Sequence, residues 1–161
     1  MRVIKDRKIV DDAWLLLALD APVPEAGDVI VHLEQWNAGR EGFAGRAGKV
    51  GVLLKSHESP EQIQALEHLP LIAIDFPSFT DGRGYSSARL LRERHAYRGE
   101  LRAVGDVLRD QLFYMARCGM DSFALKAGKD MEGALSAFLD FSVTYQAAAD
   151  DQRPLFRRVN R

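Results

Sequence analysis

Several short stretches combine the residue types that bind anions and move protons: Lys55-Ser56-His57, Asp75, Asp81-Gly82-Arg83-Gly84-Tyr85-Ser86, Gly105-Asp106 and Lys126-Ala127-Gly128-Lys129. The Asp81–Ser87 stretch is the richest. Gly82 and Gly84 allow backbone conformations and close approaches that a side chain would block. Ser86 or Ser87 can cap the helix that follows, whose first turn offers free N–H groups and the positive end of a dipole. Arg83 can add a bidentate grip on phosphate, sulfate or carboxylate, and Lys126 a second positive charge. Asp75 and Asp106 are the candidates for proton transfer, or for holding Mg²⁺. Structural alternatives stand beside each reading: a tight capped loop around Arg83, Asp106 as a helix cap, and Asp75 paired with an arginine. Gly82-Arg83-Gly84 also begins like a dinucleotide fingerprint. Its third glycine is Ser87, however, and Pro77–Asp81 lengthens a turn that should be tight.

Other reactive types lack such company. His32, His57, His68 and His95 have no metal-ligand spacing, so no metal site is expected. Cys118 is the single cysteine, which excludes an internal disulfide, and it reads as a small buried hydrophobe before Gly119. Arg89, Arg92 and Arg94 read as the solvated face of a helix, with Glu93 and Glu100 to balance them.

The elements that must position these residues follow from the apolar pattern. Residues 2–10 predict a hairpin turning at Asp6-Arg7, without the glycine favoured in such turns. Asp11-Asp12 can cap a short helix carrying Trp14, Leu15, Leu16 and Leu19, ended by Pro22 and Pro24. Val29–Leu33 predicts a strand, followed by a loop rich in glycine. From residue 49 strands and helices alternate: strands at Val50–Leu54, Leu71–Ile74, Leu101–Val104 and Ser122–Leu125. The helices between them are expected from Pro60 through Leu69 with Ser59 as cap, from Ser86 to Arg94, and from Val107 to Cys118. A last helix is expected from Met131 to about Ala148, with Met131, Ala134, Leu135, Phe138, Leu139, Ser142 and Tyr145 on one face. Four consecutive βα units imply parallel strands, in a half-barrel or an open doubly wound sheet, preceded by the hairpin. The charged stretches then share one rim, because ligands of parallel α/β domains bind at the carboxyl ends of the strands.

The 161 residues suit a single α/β domain with a basic carboxyl tail over 150–161. A formal charge of −1 argues against nucleic acid or anionic membrane as the main partner. No signal peptide or membrane-spanning run is present, so a cytoplasmic location is expected. The tail carries Arg153, Arg157, Arg158 and Arg161 around Leu155, Phe156 and Val159. It reads as a frayed terminus or as a segment that docks on a second subunit or an acidic partner. The open edge left by four βα units predicts a homodimer.

Taken together, Asp81–Ser86, Ala88–Arg92, Gly99–Leu112 and Arg117-Cys118-Gly119 resemble an uncharacterised bacterial family, domain-of-unknown-function family 934. Val10–Trp14 and Pro154-Leu155-Phe156 fit it as well. Members usually sit beside the assimilatory sulfite reductase and are sometimes labelled oxidoreductases. The resemblance therefore implies a role in sulfate assimilation, with sulfite reductase or another sulfur-assimilation protein as partner. The sequence holds no redox Cys pair and no Fe–S ligand set, so no cofactor is expected. The leading expectation is an accessory protein of sulfite reduction that binds or assembles. The alternative is an enzyme for a phosphorylated or sulfated small anion, clamped by Arg83 and Lys126 and served by Asp75 or Asp106.

Overall fold

The computed structural model describes residues 1–158. Eight strands form one sheet in the order β2-β1-β8-β7-β6-β5-β4-β3. The hairpin is β1 (Arg2–Lys5) and β2 (Lys8–Asp11), paired antiparallel with Lys5 opposite Lys8. Its turn is made by Asp6 and Arg7 at φ 49° and 62°, so both central residues take the left-handed backbone of a tight two-residue hairpin. Strands β3 (Leu15–Leu16), β4 (Val29–His32), β5 (Val50–Leu54), β6 (Leu71–Phe76), β7 (Glu100–Gly105) and β8 (Ser122–Phe123) run parallel in sequence order. The hairpin joins through β1, antiparallel to β8.

That order decides between the two architectures. A doubly wound sheet reverses its strand order at a switch point. Here the order never reverses, and crossovers of one hand place every connection on the same face. The edges also settle the curvature. Asp12, Ala13 and Trp14 alone connect β2 at one edge to β3 at the other. A flat eight-stranded sheet would hold its edges about 34 Å apart, whereas the links from Asp11 to Leu15 reach at most about 14 Å. The sheet is therefore curled into a half-barrel.

Its two faces carry different cores. On the outer face Val29, Val31, Val52, Leu54, Ile72, Ile74, Leu101, Ala103 and Phe123 pack beneath the helices. These are α1 (Leu33–Gly39), α2 (Arg83–Glu93), α3 (Leu112–Arg117) and α4 (Met131–Ala134). The inner face is smaller: Ile30, Leu53, Leu71, Ala73 and Val104, with Trp14 and Ala124 packed against them. Beneath it lies a buried ionic network. Arg102 bonds both carboxylate oxygens of Asp12, at 2.8 and 2.7 Å, and Glu100 at 2.9 and 2.7 Å. Lys5 completes it on Glu100 at 2.6 Å.

Several helices expected from the sequence are shorter or absent. Residues after Asp12 form β3 instead of a capped helix, because the Asp12 carboxylate is spent on Arg102. The 60–69 stretch breaks into two 3₁₀ turns, Pro60–Gln62 and Leu66–His68, separated by Ala65 at φ 50°. The expected Val107–Cys118 helix begins as a 3₁₀ turn at Arg109–Gln111 before α3. Beyond α4, a 3₁₀ stretch Leu135–Leu139 ends the last helix well before Ala148. Asp130 caps α4, accepting from the Gly133 N–H at 3.0 Å.

Candidate functional site

The sequential parallel order brings the carboxyl ends of β4 to β8 to one rim, and the charged stretches with them. At the β6–α2 loop, Asp81 chelates its own neighbour: Arg83 Nε and Nη2 donate to Asp81 at 3.0 and 2.7 Å, and Nη2 also reaches Ser56 Oγ at 3.1 Å. The Arg83 backbone N–H donates to Asp81 as well, at 3.1 Å. The hydrogen bonds from Arg83 hold the Asp81 carboxyl far below its usual range. The fork of Arg83 is thus occupied by its own loop.

The loop's small residues serve the start of α2 and its packing. Gly82 is the N-cap of α2, and Ser86 lies exposed inside the helix, so the helix is not capped by that serine. Ser87 is buried and donates back to the Arg83 carbonyl at 3.4 Å. Gly84 is a packing residue. A Cβ there would meet the Phe76 ring at 2.6 Å and Ile74 Cγ2 at 3.0 Å, so its bareness lets α2 press onto β6.

Asp106 is not a helix cap either; the turn that follows has Leu108 as its N-cap. Its carboxylate accepts from Lys126 at 2.8 Å and from the Phe79 N–H at 3.2 Å. Lys126, then the Phe79 N–H, hold the acid below its ordinary range. Gln111 secures the same loop by donating to the Phe79 carbonyl at 3.0 Å. Lys126 and Asp106 therefore neutralise each other at the rim.

Asp75 differs. It pairs with no arginine and makes no hydrogen bond among the described residues, although it is only partly exposed. Burial pushes its carboxyl pKa up, aided by the charge of Asp81 and opposed by Lys55 and His32. Its place follows from the ladder. Leu54 pairs with Ile74 across β5 and β6, so the next step puts Lys55 beside Asp75 on the inner face. His32 projects from the end of β4 on that face, alternating with Ile30. Its Nδ1 is buried and has no partner among the described residues. Gly105 makes room for the carboxyl: at φ 92°, a Cβ there would stand 2.8 Å from Asp75 Oδ1 and 2.5 Å from the Phe76 carbonyl. The spacing rule for histidines passes over His32, because what places it on this face is strand register. Arg92 likewise leaves the solvated face. It donates to the carbonyls of Gly119, Tyr97 and Gly99 and to Asp121, at 2.7–2.9 Å. Among the described residues no group of three His, Cys, Asp or Glu side chains converges as a metal would require.

A second surface lies on the carboxyl segment. Leu139, Phe141, Val143 and Tyr145 are 78, 62, 60 and 75 % exposed, at every second residue from the end of the 3₁₀ stretch into a segment with no helix. The body of the protein holds this stretch at both ends. Arg109 pairs with Asp140 at 2.9 Å, and Arg117 pairs with Asp150 at 2.6 Å and bonds the Gln146 carbonyl. Phe113 of α3 packs against the Phe141 ring at 4.9 Å. The basic tail folds back rather than fraying through residue 158: α5 (Leu155–Arg158) lets Arg158 bond the Thr144 carbonyl at 2.8 Å and its hydroxyl at 3.0 Å. Val159, Asn160 and Arg161 lie outside the described residues.

Fold and rim together define a singly wound α/β half-barrel whose strand ends carry paired charges and one unpaired acid. A family model matches residues 51–156, and the chain belongs to that family, the bacterial proteins of unknown function designated DUF934. No curated protein and no solved structure matches the chain. Among the described residues no helix is long and apolar enough to cross a membrane.

Proposed function

We propose that this protein is an accessory component of sulfite reduction, acting in the cytoplasm as a binding or assembly partner of sulfite reductase or another sulfur-assimilation protein. The observation that carries the reading is the alternating apolar run Leu139–Tyr145, held in place by Arg109 and Arg117 yet left uncovered. Fixed, exposed apolar side chains suit a protein partner, since little ordering cost remains on docking. Sequence resemblance supplies the metabolic setting. We infer that the chain also pairs with itself, because β3 is an edge strand of two residues whose Leu15 and Leu16 are exposed.

Deletion of the gene tests the reading in the cell. Growth on sulfate or sulfite should fail or slow while growth on cysteine is normal. The wild-type gene should restore growth, and one encoding Phe141→Asp with Tyr145→Asp should not. In vitro, sulfite reductase should co-purify with the wild-type chain and not with the double variant, whose melting temperature should be unchanged. Normal growth of the deletion strain on sulfate and sulfite would overturn the role.

A further inference from the structure

We propose that the mouth of the half-barrel binds a small organic anion, a carboxylate with a compact apolar body, its charged end on Lys55 between Asp75 and His32. This is independent of the partner-protein reading, which concerns the Leu139–Tyr145 run.

The charge inventory of the inner face and the rim points to Lys55. Arg102 is neutralised by Asp12 and Glu100, Lys5 by Glu100, Lys126 by Asp106, and Arg83 by Asp81. Lys55 has no carboxylate within ion-pair distance among the described residues, even though the register puts Asp75 on the adjacent strand. Adjacent strands lie about 5 Å apart, a spacing that one ligand carboxylate can bridge from the ammonium to the Asp75 carboxyl. His32 lies near enough for its charge to act on Asp75, and its Nδ1 is buried with no partner among the described residues. Polar groups left without protein partners on neighbouring strands are the kind by which small-molecule sites fix orientation.

The apolar body has a place as well. A cavity of about 590 Å³ lies on this face, its wall formed by Trp14, Ile30, Val104, Gly105 and Ala124 together with the ion-paired Asp12, Arg102 and Lys126. Val104 is the register partner of Asp75, so the cavity begins one strand from the charged end. An inorganic oxyanion would leave that apolar surface wet, whereas a carboxylate on a short hydrocarbon or ring covers it.

Proton linkage follows from the neighbours. The groups that face Asp75 are Lys55, His32 and Asp81; Val104 and Trp14 are neutral, and Asp106 and Lys126 cancel each other. A bound carboxylate takes a hydrogen bond from the protonated Asp75 carboxyl and repels the ionised one. Affinity therefore rises as pH falls through the raised pKa of Asp75.

Titration of the full chain with benzoate, benzamide and sulfate tests the proposal, followed by calorimetry and by the two tryptophan indole N–H resonances. Benzoate should saturate and shift Trp14 but not Trp36, whose indole donates to the Gln64 carbonyl on the other face. Benzamide and sulfate should each bind at least about tenfold more weakly, the loss of roughly one charge-assisted contact. Lys55→Met should weaken benzoate by a similar factor, and Asp75→Asn should flatten the pH dependence. Arg89→Ala, on the outer face of α2, should change neither. Equal binding of benzoate and benzamide, undiminished binding by Lys55→Met, or no saturable shift of Trp14 would overturn the proposal, and sulfate as strong as benzoate would overturn the ligand class.

Discussion

A carboxyl that loses hydration and gains no hydrogen bond keeps its proton to higher pH, and Asp75 is in that position at the end of β6. Its folded-state pKa lies above the ordinary 3.8, so the native state binds the extra proton. Stability is then greatest below the unfolded value and falls as pH rises through the folded one. Asp75→Asn removes that penalty. Chemical denaturation should find the variant more stable than wild type at pH 7, with the gap closing as pH falls toward the ordinary aspartate range. Equal stability at both ends would show that Asp75 carries no penalty. Gly84 gives a prediction of the opposite sign: Gly84→Ala drives a methyl into Phe76 and Ile74 and should cost about 1–3 kcal/mol by the same measurement. Cys118, buried and with its thiol pKa raised by burial, should resist iodoacetamide in the native chain and react once unfolded. Types and positions of the rim residues were legible in the sequence, Asp75, Arg83, Asp106 and Lys126 among them. Their pairings were not. Whether Gly84 serves a ligand or a neighbouring ring depends on Phe76, and Lys55 meets Asp75 only through the register of two strands.

At the scale of elements, the apolar pattern marks every strand but β3, and it makes the helices too long. Apolar runs such as Val50–Leu54 leave little choice of conformation once both faces are buried. The last helix shows why the other period failed. Met131, Ala134, Leu135 and Phe138 keep helical spacing, but Leu139, Phe141, Val143 and Tyr145 recur at two, and Val143-Thr144-Tyr145 is a β-branched and aromatic run. The helix stops where the period changes. Its charge assigns Arg92 to a solvated face, yet its fork gathers α2, the β7 approach and the turn at Gly119 into one joint. Arg92→Lys cannot span those acceptors. Left unsatisfied in a partly buried site, they should cost about 3 kcal/mol in denaturant titrations. A loss below about 0.5 kcal/mol would mean that water replaces the guanidinium there.

For the whole molecule, the half-barrel depends on a strap of three residues and on the ions beneath it. Arg102→Met would strand Asp12 and Glu100, both almost fully buried, and should cost about 3–5 kcal/mol. Light scattering at micromolar concentration should give twice the chain mass if the β3 edge is covered by a second copy; Leu15→Lys with Leu16→Lys should return a monomer. A monomeric wild type would remove the pairing. The strap has one more consequence, which concerns the order in which the chain is made. The hairpin is translated first, but β1 needs β8, and Asp12 needs an arginine 90 residues downstream. At about 5–20 residues per second, the nascent amino terminus waits roughly 6–24 s for β8 to be made. Throughout that interval β1 offers β8's side as a bare edge. Lys5, Asp6, Arg7 and Lys8 crowd the tip of the hairpin with charge, and charge is what keeps an unpaired edge from finding the wrong strand.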